Sequence, residues 1–174
     1  MSHNIQIIPC TAADIPRLQA VAIRSYNDHY LYLWHDNGAW YKERSFSERA
    51  LKEEIADPNA AFFLIYTGAE LVGFLKLNID KSLAGGRAEE SLELERVYLV
   101  KSASGKGVGK KVIDFTVAYA KQRNKRLIWL KAMDSSRSVG FYEQNGFEKC
   151  GTYRLDFEVM KVEYRGMYVM ERTL

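Results

Sequence analysis

The chain has 174 residues, 47% of them hydrophobic and 27% charged. That is the length of a single domain (residues 1–174) with enough apolar surface to offset chain entropy, so a mainly disordered chain is excluded. The 3 prolines and 12 glycines exclude collagen-like and low-complexity readings, and a net charge of +3 is too small to imply a nucleic-acid partner.

Ile5, Ile7 and Ile8 read as a first strand. It follows Met1 to Asn4 with no long apolar stretch, which predicts no signal peptide, and no window approaches a membrane span. Thr11 is a good N-cap with Asp14 three residues on, and Ile15, Leu18, Val21, Ala22 and Tyr26 then recur at helical spacing. Pro16 is tolerated there because it falls in the first turn. An aromatic-rich, loosely patterned stretch runs from His29 to Trp40. Ser45 to Glu48 has the form of a capping box, Leu51 and Ile55 give the next helix a buried side, and Asp57-Pro58 ends it.

Phe62 to Tyr66 and Leu71 to Asn78 flank a short turn at Thr67 to Glu70 and read as a hairpin. Asp80 to Glu90, with Gly85-Gly86, reads as a mobile loop. In the strand Ser91 to Val100, Leu92 and Leu94 are apolar in one phase, Val97 and Leu99 in the other. A period-2 pattern that changes phase inside one strand predicts a β-bulge near Glu95-Arg96. Lys101 to Lys106 is a basic loop, and Gly107 to Arg123 is helical, with Val108, Val112, Phe115 and Tyr119 along one side. Leu127 to Leu130 fits a buried parallel strand. A helix from Ser136 to Gln144 stops at Asn145-Gly146, and two strands follow around Phe147 to Glu158 and Val162 to Arg172. The order predicts a mixed α/β domain. Cys10 and Cys150 form no CxxC pair, which predicts reduced thiols and a cytoplasmic protein. His3, His29 and His35 have no companions at metal-ligand spacing, so no metal is expected.

The strongest chemical signal is Ser104-Gly105-Lys106-Gly107-Val108-Gly109-Lys110-Lys111, between a strand and a helix. Backbone N–H groups and the helix dipole favour an anion there, and glycines permit positive φ. The phosphate motif is not Walker A: Ser104 stands where a glycine is needed and Lys111 where Ser or Thr is needed. Nor is it the dinucleotide fingerprint, since Lys110 replaces the third glycine.

Together with Glu93 to Leu99, Phe141-Tyr142 and Asn145-Gly146-Phe147, this turn resembles the GNAT superfamily of N-acetyltransferases. That family's Gln/Arg-x-x-Gly-x-Gly/Ala motif falls on Ser104 to Gly109, and its Phe-Tyr-x-x-x-Gly-Phe on Phe141 to Phe147. Gly73 to Ile79, Glu93 to Tyr98 and Leu127 to Leu130 are more closely similar to bacterial spermidine/spermine N-acetyltransferases of the PaiA type. Two positions depart from the pattern. Ser104 replaces the Gln/Arg, and Ser135 replaces an Asn six residues before the Phe-Tyr pair.

The resemblance implies a mixed, mostly antiparallel sheet whose central parallel strands splay at the bulge. Acetyl-CoA would lie in that opening, its pantetheine along Val97, Tyr98 and Leu99. Its pyrophosphate would sit on Ser104 through Lys110, with Ser135 and Tyr142 nearby. A protonated amine cannot attack a thioester, and with a pKa near ~10.4 about one amine in ~2,500 is neutral at pH 7. A carboxylate, directly or through water, can take the proton. Glu93 and Glu95 both flank the opening, and the resemblance favours Glu93. Tyr142 fits the acid that protonates the CoA thiolate, and the Leu99 N–H fits a donor to the thioester oxygen.

The leading reading is acetyl transfer to a small-molecule amine by direct attack in a ternary complex. The resemblance points to spermidine or spermine, and Asp28, Asp36, Glu43, Glu89 and Glu90 would offer a polycation an acidic approach. The alternatives are a protein N-terminus, a lysine or another small amine as acceptor, or a non-catalytic acyl-CoA sensor. Tyr142 favours catalysis over the sensor. No membrane partner is expected, and a homodimer is open to such a chain.

Overall fold

A computed structural model describes residues 4–174. Met1–His3, on which the expected leaderless start and the expectation for His3 rest, lie outside the described residues. In chain order the elements are β1 (Ile5–Pro9), α1 (Ile15–His29), α2 (Ala39–Phe46), α3 (Glu48–Ile55), β2 (Ala60–Thr67), β3 (Glu70–Asn78), β4 (Ser91–Leu99), α4 (Val108–Gln122), β5 (Leu127–Met133), α5 (Ser138–Gln144), β6 (Glu148–Arg154) and β7 (Gly166–Thr173). Among the described residues the strands form one seven-stranded sheet, ordered β1-β2-β3-β4-β5-β7-β6. The β4–β5 pair is parallel and the other pairs are antiparallel.

Alternation along the strands sorts the core onto two faces. On one face Phe63 meets Phe115 and Tyr119 of α4, with ring centroids 4.9 and 5.5 Å away. On the other, Phe74 and Tyr98 pack under Phe46 of α2, and Tyr98 also meets Tyr26 of α1. Asp14 ties the start of α1 by accepting hydrogen bonds from the Thr11 N–H (2.9 Å) and hydroxyl (3.2 Å).

Four local expectations change. Ser47, not Ser45, caps α3 by accepting from the Ala50 N–H at 3.2 Å. The aromatic stretch contains the end of α1, a 3₁₀ turn at Leu31–Leu33 and the start of α2. Asp36 organises that start by accepting from the N–H groups of Gly38 and Trp40, 3.0 and 2.8 Å away. The Asp80 to Glu90 loop is tied at both ends. The Trp129 indole donates to the Lys81 carbonyl (2.9 Å), Lys125 pairs with Asp80, and the Lys125 ammonium donates to the Glu89 carbonyl (3.0 Å). The late strands are shorter than their apolar content suggests, since Leu155, Phe157 and Met160 leave the sheet to line a cavity.

Gly73 of β3 lies opposite Leu99 of β4. A Cβ there would collide with the Tyr98 carbonyl oxygen and stand 2.7 Å from Leu99 Cδ2. Gly73→Ala should therefore push β4 outward and cost about 1–3 kcal/mol by overpacking, read as a lower melting temperature in thermal denaturation.

Candidate active site

The site begins with a missing partner. β4 and β5 pair only at Ser91↔Leu127, Leu92↔Ile128 and Glu93↔Trp129, while β5 runs on to Met133 against β7. The cause is on β4. Its register against β3 goes from Leu77↔Leu94 to Lys76↔Arg96, leaving Glu95 as an extra residue. This is the bulge expected from the hydrophobic phase, and it turns β4 away from β5. The Val100 N–H donates to the Val72 carbonyl of β3 at 2.8 Å. By strand alternation the N–H and C=O of Leu99 and of Val97 then point the other way, into the opening.

A cavity of about 330 Å³ occupies this opening. Its wall on the helix side is aromatic: Tyr26, Tyr30, Trp34 and Tyr41. The Trp34 indole donates to the Tyr26 hydroxyl at 2.7 Å, and Tyr41 stacks on Tyr26 with centroids 4.9 Å apart. The end of α1 and the 3₁₀ turn after it bridge the opening. His29 Nε2 donates to the Leu99 carbonyl at 2.9 Å, and Tyr32 shares a hydrogen bond of 2.9 Å with the exposed Ser135.

Two carboxylates face this region, and their surroundings drive them apart. Glu93 is only 8% exposed and accepts from the Asn78 amide at 2.7 Å. Burial pushes its carboxyl above the usual range, and the neighbouring Glu95 adds to that against the opposing Asn78 hydrogen bond. Glu95 is different. Burial would raise it too, but Arg96 and Lys76 outweigh that and hold it below the usual range. Lys76 and Arg96 also share Glu54 of α3, with Arg96 Nη1 3.1 Å from Glu54 Oε2. Glu95 Oε2 is in ion-pair contact with Lys76 without an aligned hydrogen bond. Of the two carboxylates, Glu93 is thus the one with raised affinity for a proton, and Glu95 is held towards its anionic form.

Tyr142 of α5 lines the cavity from the far side of the opening and is 7% exposed. Burial raises its phenol further above ordinary tyrosine, so it stays protonated. The glycine turn stands at the N-terminus of α4. Gly105 and Gly107 have φ of +73° and +76°, a region costly for other residues, and Gly107 is the N-cap. Gly109 serves close packing instead, since a Cβ there would stand 3.0 Å from the Phe141 ring. The Val108 side chain is buried in the core, so only its N–H is offered to the turn. Lys110 is paired with Asp114 at 2.8 Å, and Lys106 is exposed. Tyr98 turns its ring away from Val97 and Leu99, into the aromatic cluster and the cavity wall.

Of the acidic residues expected to offer a polycation an approach, Glu43 is exposed and the others have partners. Asp28 accepts from the Lys101 N–H at 2.8 Å and Asp36 caps α2. Glu89 and Glu90 pair with Arg87. Sequence reasoning missed Lys76, Glu54 and Asn78, which support the two glutamates, and the cations Arg44 and Lys131 on the cavity wall. Lys131 was reachable by parity, two residues beyond Trp129 on β5 and on the same face as Glu93. Among the described residues no three His, Cys, Asp or Glu side chains gather as a metal site, and no helix is long and apolar enough to cross a membrane.

The profile of the acetyltransferase (GNAT) family matches residues 22–147. A curated relative, an uncharacterized N-acetyltransferase in the pepI 3' region of Lactobacillus delbrueckii subsp. lactis, is 27% identical over 151 residues, covering 84% of this chain and 86% of that protein. The fold is similar to that of the PaiA N-acetyltransferase of Thermoplasma acidophilum in complex with coenzyme A, with a TM-score of 0.75, 21% identity, and 98% and 99% of the two chains covered. It is also similar to the spermidine/spermine N-acetyltransferase SpeG of Vibrio cholerae, with a TM-score of 0.68, 18% identity, and 97% and 92% covered.

Two stability outcomes follow from the charges. Glu54→Ala leaves the buried Lys76 and Arg96 with one carboxylate between them and should cost about 3 kcal/mol, measured by chemical denaturation. The folded state holds the Glu93 proton to higher pH than the unfolded chain does, so ionisation removes stability as pH rises from the ordinary carboxylate range through the raised value. Glu93→Gln should therefore melt above wild type at neutral pH. The two melting curves should converge once pH falls below the ordinary carboxylate range.

Proposed function

The chain belongs to the acetyltransferase (GNAT) family, and from that premise we propose that it moves an acetyl group from acetyl-CoA to a primary amine by direct attack in a ternary complex. The observation that carries this is the pairing, across one opening, of a carboxyl pushed up by burial (Glu93) and a protonated buried phenol (Tyr142). By strand alternation the N–H groups of Leu99 and Val97 point into the same opening, along the edge that β4 turns from β5, which supports this reading.

In this reading the pyrophosphate rests on the N–H groups of Ser104 to Gly109 and the first turn of α4, where the helix dipole favours an anion. Lys106 adds positive charge at the rim, where Lys110 is paired with Asp114. Pantetheine runs along Val97 to Leu99, near Ser135. The amine enters from the aromatic face and loses a proton to Glu93, directly or through water. An elevated carboxyl suits this role, because its affinity for the proton is closer to the amine's than that of an ordinary glutamate. The neutral nitrogen attacks the thioester carbon while the Leu99 N–H stabilises the developing oxyanion. The C–S bond then breaks, and Tyr142 supplies a proton to the departing sulfur. The half-buried and exposed cysteines Cys10 and Cys150 are both free, which supports a reducing, cytoplasmic setting.

Acetyl-CoA should raise the melting temperature, because a ligand bound only by the folded state stabilises it. Thiol release with an amine panel then reads turnover. Tyr142→Phe should lower kcat by about 10²-fold or more while leaving the acetyl-CoA-induced melting shift nearly intact. In wild type, kcat/KM should rise with pH through the elevated Glu93 titration, and Glu93→Gln should lose that limb. Full turnover in Tyr142→Phe would assign the thiolate's proton to water.

A further inference from the structure

The cavity wall carries two cations, Lys131 and Arg44, with no carboxylate in ion-pair contact among the described residues. Glu54 and Glu95 are occupied by Lys76 and Arg96, and Glu93 accepts from Asn78. Lys131 and Arg44 rest on aromatic rings instead. The Lys131 ammonium lies 3.9 Å from the Tyr153 ring centroid, and the Arg44 guanidinium lies 5.1 Å from both Trp40 and Phe157. Among the described residues neither forms an ion pair. Cation–π contact steadies a cation without consuming its N–H donors, so both keep a full set of donors at the cavity.

The placement of Lys131 relative to the reacting end is set by the strand. Trp129 pairs with Glu93, and Lys131 lies two residues further along β5 on the same face, about 6–7 Å on at the Cα. Lys131 is close enough for its charge to oppose the upward push on Glu93. The lining also includes Met133, Leu155, Met160 and Met167, which make part of the wall apolar and soft. Such a wall adapts to an apolar body.

We propose that the acceptor is an apolar amino acid, whose amine is delivered towards Glu93 while its carboxylate is held by Lys131 and Arg44. The proposal deepens the acetyl-transfer reading and rests on it. An ammonium opposite two unpaired cations is repelled, so the same wall selects against a polyamine, whose further charges would have to pass Lys131 and Arg44. The guanidinium fork of Arg44 matches a carboxylate in two-point fashion.

The experiment measures thiol release from saturating acetyl-CoA with leucine, methionine and phenylalanine, with the corresponding amino-acid amides, and with spermidine. The amides keep the amine and the apolar body and lose only the negative charge. In wild type, kcat/KM for the best amino acid should exceed that of its amide at least tenfold. Lys131→Gln and Arg44→Gln should each shrink this ratio, mainly by raising the amino-acid KM, and Lys131→Arg should restore most of it. The acetyl-CoA-induced melting shift reports that each variant is folded. An amide used as well as its amino acid overturns the proposal. So does a ratio indifferent to both substitutions, spermidine outpacing every amino acid, or acetyl-CoA binding with no turnover of the amino acids. If acetyl-CoA neither shifts the melting temperature nor releases thiol with any amine, the transferase reading itself has failed, and the acceptor assignment falls with it.

Discussion

The extra residue in β4 is the constraint on which the rest of the site depends. One inserted position lets Glu93 and Arg96, three residues apart, lie on the same face of the sheet, while Leu94 and Val97 share the opposite one. An unbroken strand would alternate them. The insertion also ends the β4–β5 ladder at Glu93, and Glu93, Tyr142, Lys131 and Arg44 line the cavity that occupies the resulting gap. Leaving strand edges unpaired inside a domain is costly unless something else takes the hydrogen bonds. Here the Leu99 carbonyl is taken by His29, and the outward N–H groups face a cavity open to solvent or ligand.

The bulge is held by charge as much as by packing. Lys76 of β3, Arg96 and Glu95 of β4 and Glu54 of α3 form a partly buried cluster beneath the α1–α3 layer. The side chains of Lys76 and Arg96 are only 8% and 12% exposed, so each depends on the shared carboxylates. Such clusters rarely add much net stability over an apolar alternative, but they tolerate few other arrangements of the backbone. Their second effect is electrostatic. With Glu95 held down by Arg96 and Lys76, and the burial of Glu93 opposed by the Asn78 amide and more weakly by Lys81 and Lys131, two neighbouring carboxyls acquire opposite tendencies, and one of them becomes suited to exchanging protons.

The aromatic segment serves both the fold and the site. Tyr26, Phe46 and Tyr98 close the core over the sheet, while Tyr30, Trp34 and Tyr41 continue the same packed surface as the cavity wall. A rigid aromatic wall with two cations at its edge supplies shape and sign together. In the proposed reading the acceptor is chosen by its whole charge distribution, and the reacting amine is only one part of it.

Features carried by near neighbours in sequence were legible without a structure. The phase change in Leu92, Leu94, Val97 and Leu99 located the bulge, because side-chain direction in a strand is a property of adjacent residues. Gly105 and Gly107 marked the turn before α4 because few other residues accept positive φ. The helix from Ile15 showed through its apolar spacing. α2 did not, because its start is organised by Asp36 from outside the helix and apolar residues occur all around it. Charges were the least legible of all. Asp28 finds its partner 73 residues away and Lys76 finds Glu54 at a separation of 22, so no local pattern could announce either pairing. The sequence by itself determined where the strand breaks and where the glycine turn before α4 lies. Only the tertiary structure decided which glutamate has raised affinity for a proton, which aspartates are spent on backbone, and that Lys131 and Arg44 face the cavity. Those outcomes depend on through-space distances between distant segments, and Coulomb energy and desolvation follow distance and burial, not position along the chain.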